Sequence, residues 1–199
     1  MTHIPSSMRF RVDPAEQVIV GLGNRDSRYA GTPHNVGFEV VDRIAVGLGL
    51  TWHSTPEAWI ARGSSREHAV CLIKVNTGMN HIGAGLKQLS VTLSFSPEQC
   101  ILIYDDVDTP IGSIRTRLSG GAGGHRGVAS ILVAFQTDAF RRVKVGIGQP
   151  MANADRVKYV LTPFDPASRA IVEPAISAAE ARVLEMLEAR HDGRTTVAR

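Results

Sequence analysis

The chain has 199 residues, of which 43% are hydrophobic and 21% are charged, and its formal net charge is +3. No apolar run approaches the roughly 20 residues of a membrane span, and the N-terminus lacks the apolar core of a signal peptide. We therefore expect a cytoplasmic protein without a membrane partner. The composition predicts one globular domain over residues 17–192, with residues 1–16 as an N-terminal extension and residues 193–199 as a tail.

Apolar periodicity predicts strands that alternate with helices along the chain. Strands are expected near residues 17–22, 69–74, 99–104, 112–118 and 141–148, with a weaker one at 57–63. Helices are expected near residues 35–48, 79–92, 125–136 and 166–190, with a short one at 153–161. The last helix carries an apolar stripe of Ile171, Ala175, Ala179, Val183 and Leu187. This alternation predicts an α/β fold, a single-domain three-layer α/β/α sandwich around a central mixed, mostly parallel sheet.

The two cysteines, Cys71 and Cys100, each lie inside an apolar, strand-like run. We expect them to be buried free thiols in a reducing compartment.

A polar connection follows the first predicted strand. The apolar run 18–20 leads into a Gly-Leu-Gly segment, where the glycines are expected to let the backbone turn sharply. Asn24, His34 and Asn35 lie between this strand and the next helix, on the side where open α/β sheets bind ligands. On these residues alone the simpler interpretation is a glycine turn, a helix cap at Asn35 and an idle surface histidine.

Two further loops carry polar residues at strand ends. Asn80 follows the strand at 69–74, and Asp105 directly follows the strand at 99–104, ahead of a glycine-rich segment that contains His125. Acids at such a position can form a turn, orient a histidine base or hold a metal. No complete metal, Walker or nucleophile-elbow motif is present, although His34, Asp105 and His125 still leave a metal site open as an alternative. The pattern favours a histidine base steered by a carboxylate.

Basic residues concentrate in the second half of the chain. Between residues 114 and 158 there are eight basic residues and two acidic ones, and this region overlaps the glycine-rich segment. Such a run indicates either a solvated face or a phosphate partner.

Three motifs in order carry a family resemblance. They read GLGN…T-x-HN-x-GF…VD from residue 21, K-x-x-T-x-MN from residue 74, and DD-x-D-x-P-x-G…R-x-R…GG-x-GGH-x-G from residue 105. Together they resemble the bacterial-type peptidyl-tRNA hydrolase family from about Val18 to Gly148, and loosely through the last helix. The resemblance implies a monomeric esterase that needs no metal and no cofactor, with tRNA as its partner, and that releases tRNA from peptidyl-tRNA.

The resemblance also implies which residues act. His34 would be the base that activates water, and Asp105 would orient and stabilise its imidazole. A histidine has a reference pKa of about 6.5, so the neutral ring can accept a proton from water at neutral pH. The expected substrate-binding residues are Asn24, Tyr29, Asn35, Met79, Asn80, His125 and Arg126, and the expected tRNA phosphate-binding residues are Arg117 and Lys144.

Several positions depart from the family pattern. Arg25-Asp26 stands where the family has Pro-Gly, Pro33 replaces an arginine, Gly78 replaces an aromatic residue and Arg126 replaces an asparagine. In the cleft, the Arg126 cation would repel a free α-ammonium and favour a blocked or acidic acyl group; the alternative is that it turns outward to a tRNA phosphate. Two other functions stay open: a relative acting on a different acyl- or aminoacyl-tRNA, and an RNA-binding protein without turnover.

Overall fold

A computed structural model of the chain describes residues 11–14, 16–151 and 154–189. The strands are β1 (Gln17–Gly21), β2 (His53–Ser54), β3 (Ala58–Ser65), β4 (His68–Val75), β5 (Cys100–Asp106), β6 (Ile114–Arg117) and β7 (Arg141–Gly146). The α-helices are α1 (Val36–Gly47), α2 (Ile82–Leu93), α3 (Arg126–Phe135), α4 (Arg156–Leu161) and α5 (Pro166–Ala189). The predicted tail and most of the predicted extension lie outside the described residues, as does the last residue of the predicted helix 166–190.

One mixed sheet forms the middle layer, with the strand order β2-β3-β4-β1-β5-β7-β6. The central strands β4, β1, β5 and β7 run parallel, and antiparallel pairs complete both edges. Helices α2 and α3 cover one face, and α1 and α5 cover the other. The predicted three-layer α/β/α sandwich is confirmed, with parallel pairing confined to the centre of the sheet.

Strand β1 shows how the core is divided. Val18 and Val20 pack with α2 and α3, whereas Ile19 between them packs with α1 and α5. Because both faces of this strand are covered, its sequence is continuously apolar rather than alternating. Cys71 and Cys100 on the flanking strands are buried free thiols, as predicted, and burial raises the pKa of the Cys71 thiol to about 12.

The glycines at the end of β1 provide space and do not form an unusual turn. Gly21 and Gly23 do not have positive φ angles. A Cβ on Gly21 would lie 2.5 Å from the carbonyl oxygen of Gly37, and a Cβ on Gly37 would lie 2.3 Å from the carbonyl oxygen of Ile103. The first turn of α1 therefore lies directly against β1 and β5, which places the preceding 3-10 turn (Pro33–Asn35) beside the end of β5.

Three details differ from the sequence-based expectation. Strand β2 was not predicted, and β5 extends two residues further than expected, through Asp106. The buried stripe of α5 begins at Val172, and Ile171 is 49% exposed, so its predicted place in the stripe was wrong.

None of the helices in the described residues is long and apolar enough to cross a bilayer.

Candidate active site

The central parallel strands β1, β4 and β5 have their carboxyl ends side by side. A buried cluster forms there around Asp105. Nδ1 of His34 lies 2.8 Å from Oδ1 of Asp105. Nε2 of His125, at the start of α3, lies 3.0 Å from the same oxygen. The two imidazole rings are 4.7 Å apart between centroids, and all three side chains are buried.

The hydrogen bonds around the cluster define its protons. The backbone N–H of Val128 donates to Nδ1 of His125 over 3.2 Å, so a neutral His125 carries its proton on Nε2 and donates it to Asp105. Burial raises the pKa of Asp105, but His125 and His34 outweigh it and hold that pKa well below the usual range. An ionised carboxylate only accepts, so His34 must also donate from Nδ1. The lone pair of a neutral His34 is therefore on Nε2.

The cluster forms part of the wall of a cleft of about 400 Å³. Most of the predicted site residues meet there: Asn24, Tyr29, His34, Met79, Asn80, Asp105, His125 and Arg126. Asn35, Arg117 and Lys144 do not line this cleft. One cavity thus combines a proton acceptor, asparagine amides and an arginine.

Asn35 supports the cleft from behind. Its Oδ1 accepts a hydrogen bond from the backbone N–H of Asn24 at 2.8 Å, and its Nδ2 donates to the backbone oxygen of Asn24 at 3.0 Å. Its side chain makes no capping hydrogen bond to α1, contrary to the simple helix-cap interpretation. Asn35 therefore fixes the backbone from which the Asn24 side chain reaches the cleft.

Another part of the cleft wall comes from the 3-10 turn Met79–His81 that precedes α2. Met79 is buried, and a Cβ on Gly127 would lie 2.3 Å from its sulfur, so the glycine gives this side chain room. Asn80 is exposed, and no group in the described residues occupies its side-chain amide. That amide is available to a ligand.

A basic strip lies next to the cleft on β6 and β7. Arg115 pairs with Lys144 and Arg117 pairs with Arg142, and directly paired antiparallel residues point to the same face of a sheet. Arg142 is buried and donates to the backbone oxygens of Gly120 and Gly121, so it holds the glycine-rich loop. These four residues, Arg115, Arg117, Arg142 and Lys144, are called the basic strip below.

Within the basic strip the two predicted phosphate ligands differ. Arg117 is exposed and, among the described residues, donates only to the backbone oxygen of Thr116. Nζ of Lys144 lies 3.0 Å from Oδ2 of Asp106, so a phosphate at Lys144 must compete with a carboxylate. Lys144 also lies close to the cleft, because a Cβ on Gly123 would lie 3.9 Å from its Nζ.

The three residues of the cluster also meet the distance requirement of a metal site. One ligand atom from each of His34, Asp105 and His125 can be chosen so that all lie within 4.8 Å of one another. An imidazole–carboxylate set of this kind suits a transition metal. The metal site that the sequence left open as an alternative therefore has its three candidate ligands close together.

A family model described as peptidyl-tRNA hydrolase matches residues 18–197. The chain belongs to the peptidyl-tRNA hydrolase family. It is 40% identical over 175 residues to the peptidyl-tRNA hydrolase of Aquifex aeolicus, covering 86% of this chain and 90% of that protein. It is 40% identical over 172 residues to that of Mycobacterium bovis, covering 85% and 90%. A crystal structure of peptidyl-tRNA hydrolase from Acinetobacter baumannii matches with a TM-score of 0.83 at 30% identity, covering 90% of this chain and 92% of that one.

Sequence reasoning missed the part of the cleft that α4 supplies. Arg156, Val157, Val160 and Leu161 all line it, and the hydroxyl of Tyr159 fixes the helix by donating to the backbone oxygen of Ile147 at 2.6 Å. The apolar residues follow an i, i+3, i+4 spacing, which marks a helix with one apolar face. That spacing was a usable signal, but nothing in it indicates that the face borders a ligand cleft instead of the core.

Proposed function

We propose that this chain hydrolyses the ester bond of peptidyl-tRNA, with His34 as general base. The observation that carries the proposal is the hydrogen bond from Nδ1 of His34 to Asp105, because it leaves Nε2 of His34 as the proton acceptor at the cleft. General-base catalysis contributes about 10²–10⁴ in rate, so binding and electrostatics must supply the rest.

The reaction then proceeds in two steps that conserve every proton. Nε2 of His34 takes a proton from water while the water oxygen bonds to the ester carbon, and the ionised Asp105 stabilises the imidazolium. The tetrahedral intermediate then expels the ribose oxygen, which takes the proton back from His34. The products are tRNA with a free hydroxyl and a peptide with a free carboxyl group.

The amides of Asn24 and Asn80 are suited to hold the acyl group. Asparagine has both a donor and an acceptor, so it can bind a peptide backbone without recognising side chains. A donor aimed at the developing oxyanion would also lower the barrier. Met79 and Tyr29 complete the walls beside them.

The basic strip is suited to the nucleic-acid part of the substrate. Its exposed residues Arg115 and Arg117 lie on the same sheet face as Lys144, and arginine and lysine side chains commonly contact phosphate oxygens. We propose that Arg117 and Lys144 bind a tRNA phosphate. We also propose a monomeric cytoplasmic enzyme that works without a metal, since the contacts of Asp105 are already explained by two donated protons.

The test is hydrolysis of an N-acetylaminoacyl-tRNA by the wild type and by His34→Ala. We expect the variant to lose turnover while its tRNA binding and its melting temperature change little. His53→Ala is a matched control, because His53 is exposed on the edge strand β2 and outside the cleft. Near-wild-type turnover by His34→Ala would refute the assignment. Activity that survives a chelator supports the metal-free route, and activity that needs added zinc rejects it.

A further inference from the structure

Two arginines border the cleft from different helices. Arg126 is the first residue of α3 and directly follows His125, and Arg156 is the first residue of α4. Both line the cleft that contains His34, and both are exposed to solvent. Arg126 also borders a shallow groove between α2 and α3 that contains Asn80, so its side chain lies at the rim.

Neither of these arginines has a counter-ion within the described part of the chain. No hydrogen bond or ion pair joins either guanidinium to another described group. Several arginines elsewhere are paired with carboxylates, among them Arg28, Arg43, Arg62 and Arg169. The two acids of the cleft do not contact either arginine, because Asp105 accepts from two histidines, and Asp106 from Lys144 and Thr109. Among the described residues, both guanidinium groups are therefore unpaired at the cleft, and a bound anion would pair with them.

The surroundings of the two arginines favour a carboxylate on an aliphatic stem. Val157, Val160 and Leu161 of α4 and Met79 form an apolar lining in the same cavity. A phosphodiester backbone keeps its hydration and gains little from such a lining, whereas an aliphatic chain is stabilised by burial. The chain also has separate basic residues, in the basic strip outside the cleft, for tRNA phosphates.

We infer that the acyl group this chain selects carries an acidic side chain, which Arg126 and Arg156 bind. The inference rests on the proposed ester hydrolysis and adds a substrate class to it: N-blocked acyl-tRNAs whose acyl group has a carboxylate near the ester. Charge-assisted hydrogen bonds between guanidinium and carboxylate supply the selectivity.

The experiment compares N-acetylglutamyl and N-acetylglutaminyl groups carried on the same tRNA, because the two acyl groups match in size and differ in charge. We expect the wild type to hydrolyse the glutamyl substrate with the higher kcat/KM. Arg126→Gln and Arg156→Gln should each reduce this preference by roughly tenfold. The double variant should treat the two substrates alike. Arg182→Gln is the control, because it makes the same change in net charge on α5, where Arg182 pairs with Glu185.

The other outcomes contradict either the inference or the proposed function. If the wild type hydrolyses both substrates equally, the inference is wrong while the proposed function stands. If it hydrolyses neither, the proposed function itself fails. If Arg126→Gln and Arg156→Gln lower kcat/KM for both substrates to the same extent, the guanidinium groups bind tRNA phosphates, and the inference is again wrong. If Arg182→Gln also loses the preference, the preference depends on net charge, and the inference is wrong.

Discussion

The backbone N–H of Val128 donates a hydrogen bond to Nδ1 of His125 over 3.2 Å. The first turn of α3 thereby fixes the tautomer of His125 and directs its Nε2–H to Asp105, at 3.0 Å. His34 contacts the same carboxylate oxygen through Nδ1 and keeps Nε2 for the substrate. The two histidines are therefore not interchangeable: one is suited to accept a proton, and the other to hold the carboxylate in place.

This difference predicts separable effects of substitutions at His125. His125→Ala removes both a donor to Asp105 and the side chain that caps α3, so hydrolysis should slow and the free energy of unfolding should fall by about 1 kcal/mol. Asparagine is a good cap but is too short to replace the imidazole at Asp105. His125→Asn should therefore recover the stability and not the rate, as measured by denaturant unfolding and single-turnover hydrolysis. Recovery of both by asparagine would mean that the contact with Asp105 has no catalytic effect.

Asp105→Asn should reduce kcat by about 10²–10⁴ and leave KM nearly unchanged, because the amide keeps the shape and removes the charge that supports the imidazolium. Steady-state kinetics on an N-acetylaminoacyl-tRNA provides the measurement. Asp108→Asn is a suitable control, since Asp108 is exposed and does not line the cleft. A rise in KM alone would indicate that Asp105 positions substrate and does not assist proton transfer.

Asp105 also shows how far the sequence could predict this site. The sequence located Asp105 at a strand end, and the order β4-β1-β5 explains why three separate loops converge there. It ended β5 too early because two adjacent acids are unusual inside a buried strand. Both acids are buried, and they are stabilised by partners that are distant in sequence, His34, His125 and Lys144. Such long-range pairing cannot be read from a local pattern.

The contacts of individual side chains were the second feature that the sequence could not predict reliably. Helix periodicity predicted most of the buried face of α5, because Ala175, Ala179, Val183 and Leu187 are all buried. The same periodicity placed Ile171 in the stripe of α5, where Val172 lies instead. The use of the Asn35 amide to hold the backbone of Asn24 depends on the close approach at Gly37, which no propensity encodes.

The basic strip predicts a change in the salt dependence of tRNA binding. Arg117→Ala should weaken the binding of every tRNA to a similar extent and reduce the slope of log K against log salt by roughly one. Lys144→Ala should have a smaller effect, because its ammonium is already paired with Asp106. Filter binding at several salt concentrations measures both slopes, with Arg182→Gln as the control for net charge. Unchanged slopes in both variants would show that the strip is only a solvated face.

Asp106 predicts how stability changes in acid. Burial raises the pKa of Asp106, but hydrogen bonds from Thr109 and Lys144 lower it by more than burial raises it. The folded-state pKa therefore lies below the ordinary value. Between the folded-state pKa and the reference pKa of about 3.9, the unfolded chain therefore binds a proton that the folded chain does not, and the free energy of unfolding falls as pH falls. The stabilisation is complete above that pH and is lost as pH falls through the folded pKa. Asp106→Asn should accordingly show a smaller loss between pH 7 and pH 3 than the wild type in urea unfolding, whereas Asp108→Asn should match the wild type. An identical loss in Asp106→Asn and the wild type would mean that the ion pair with Lys144 does not stabilise the fold.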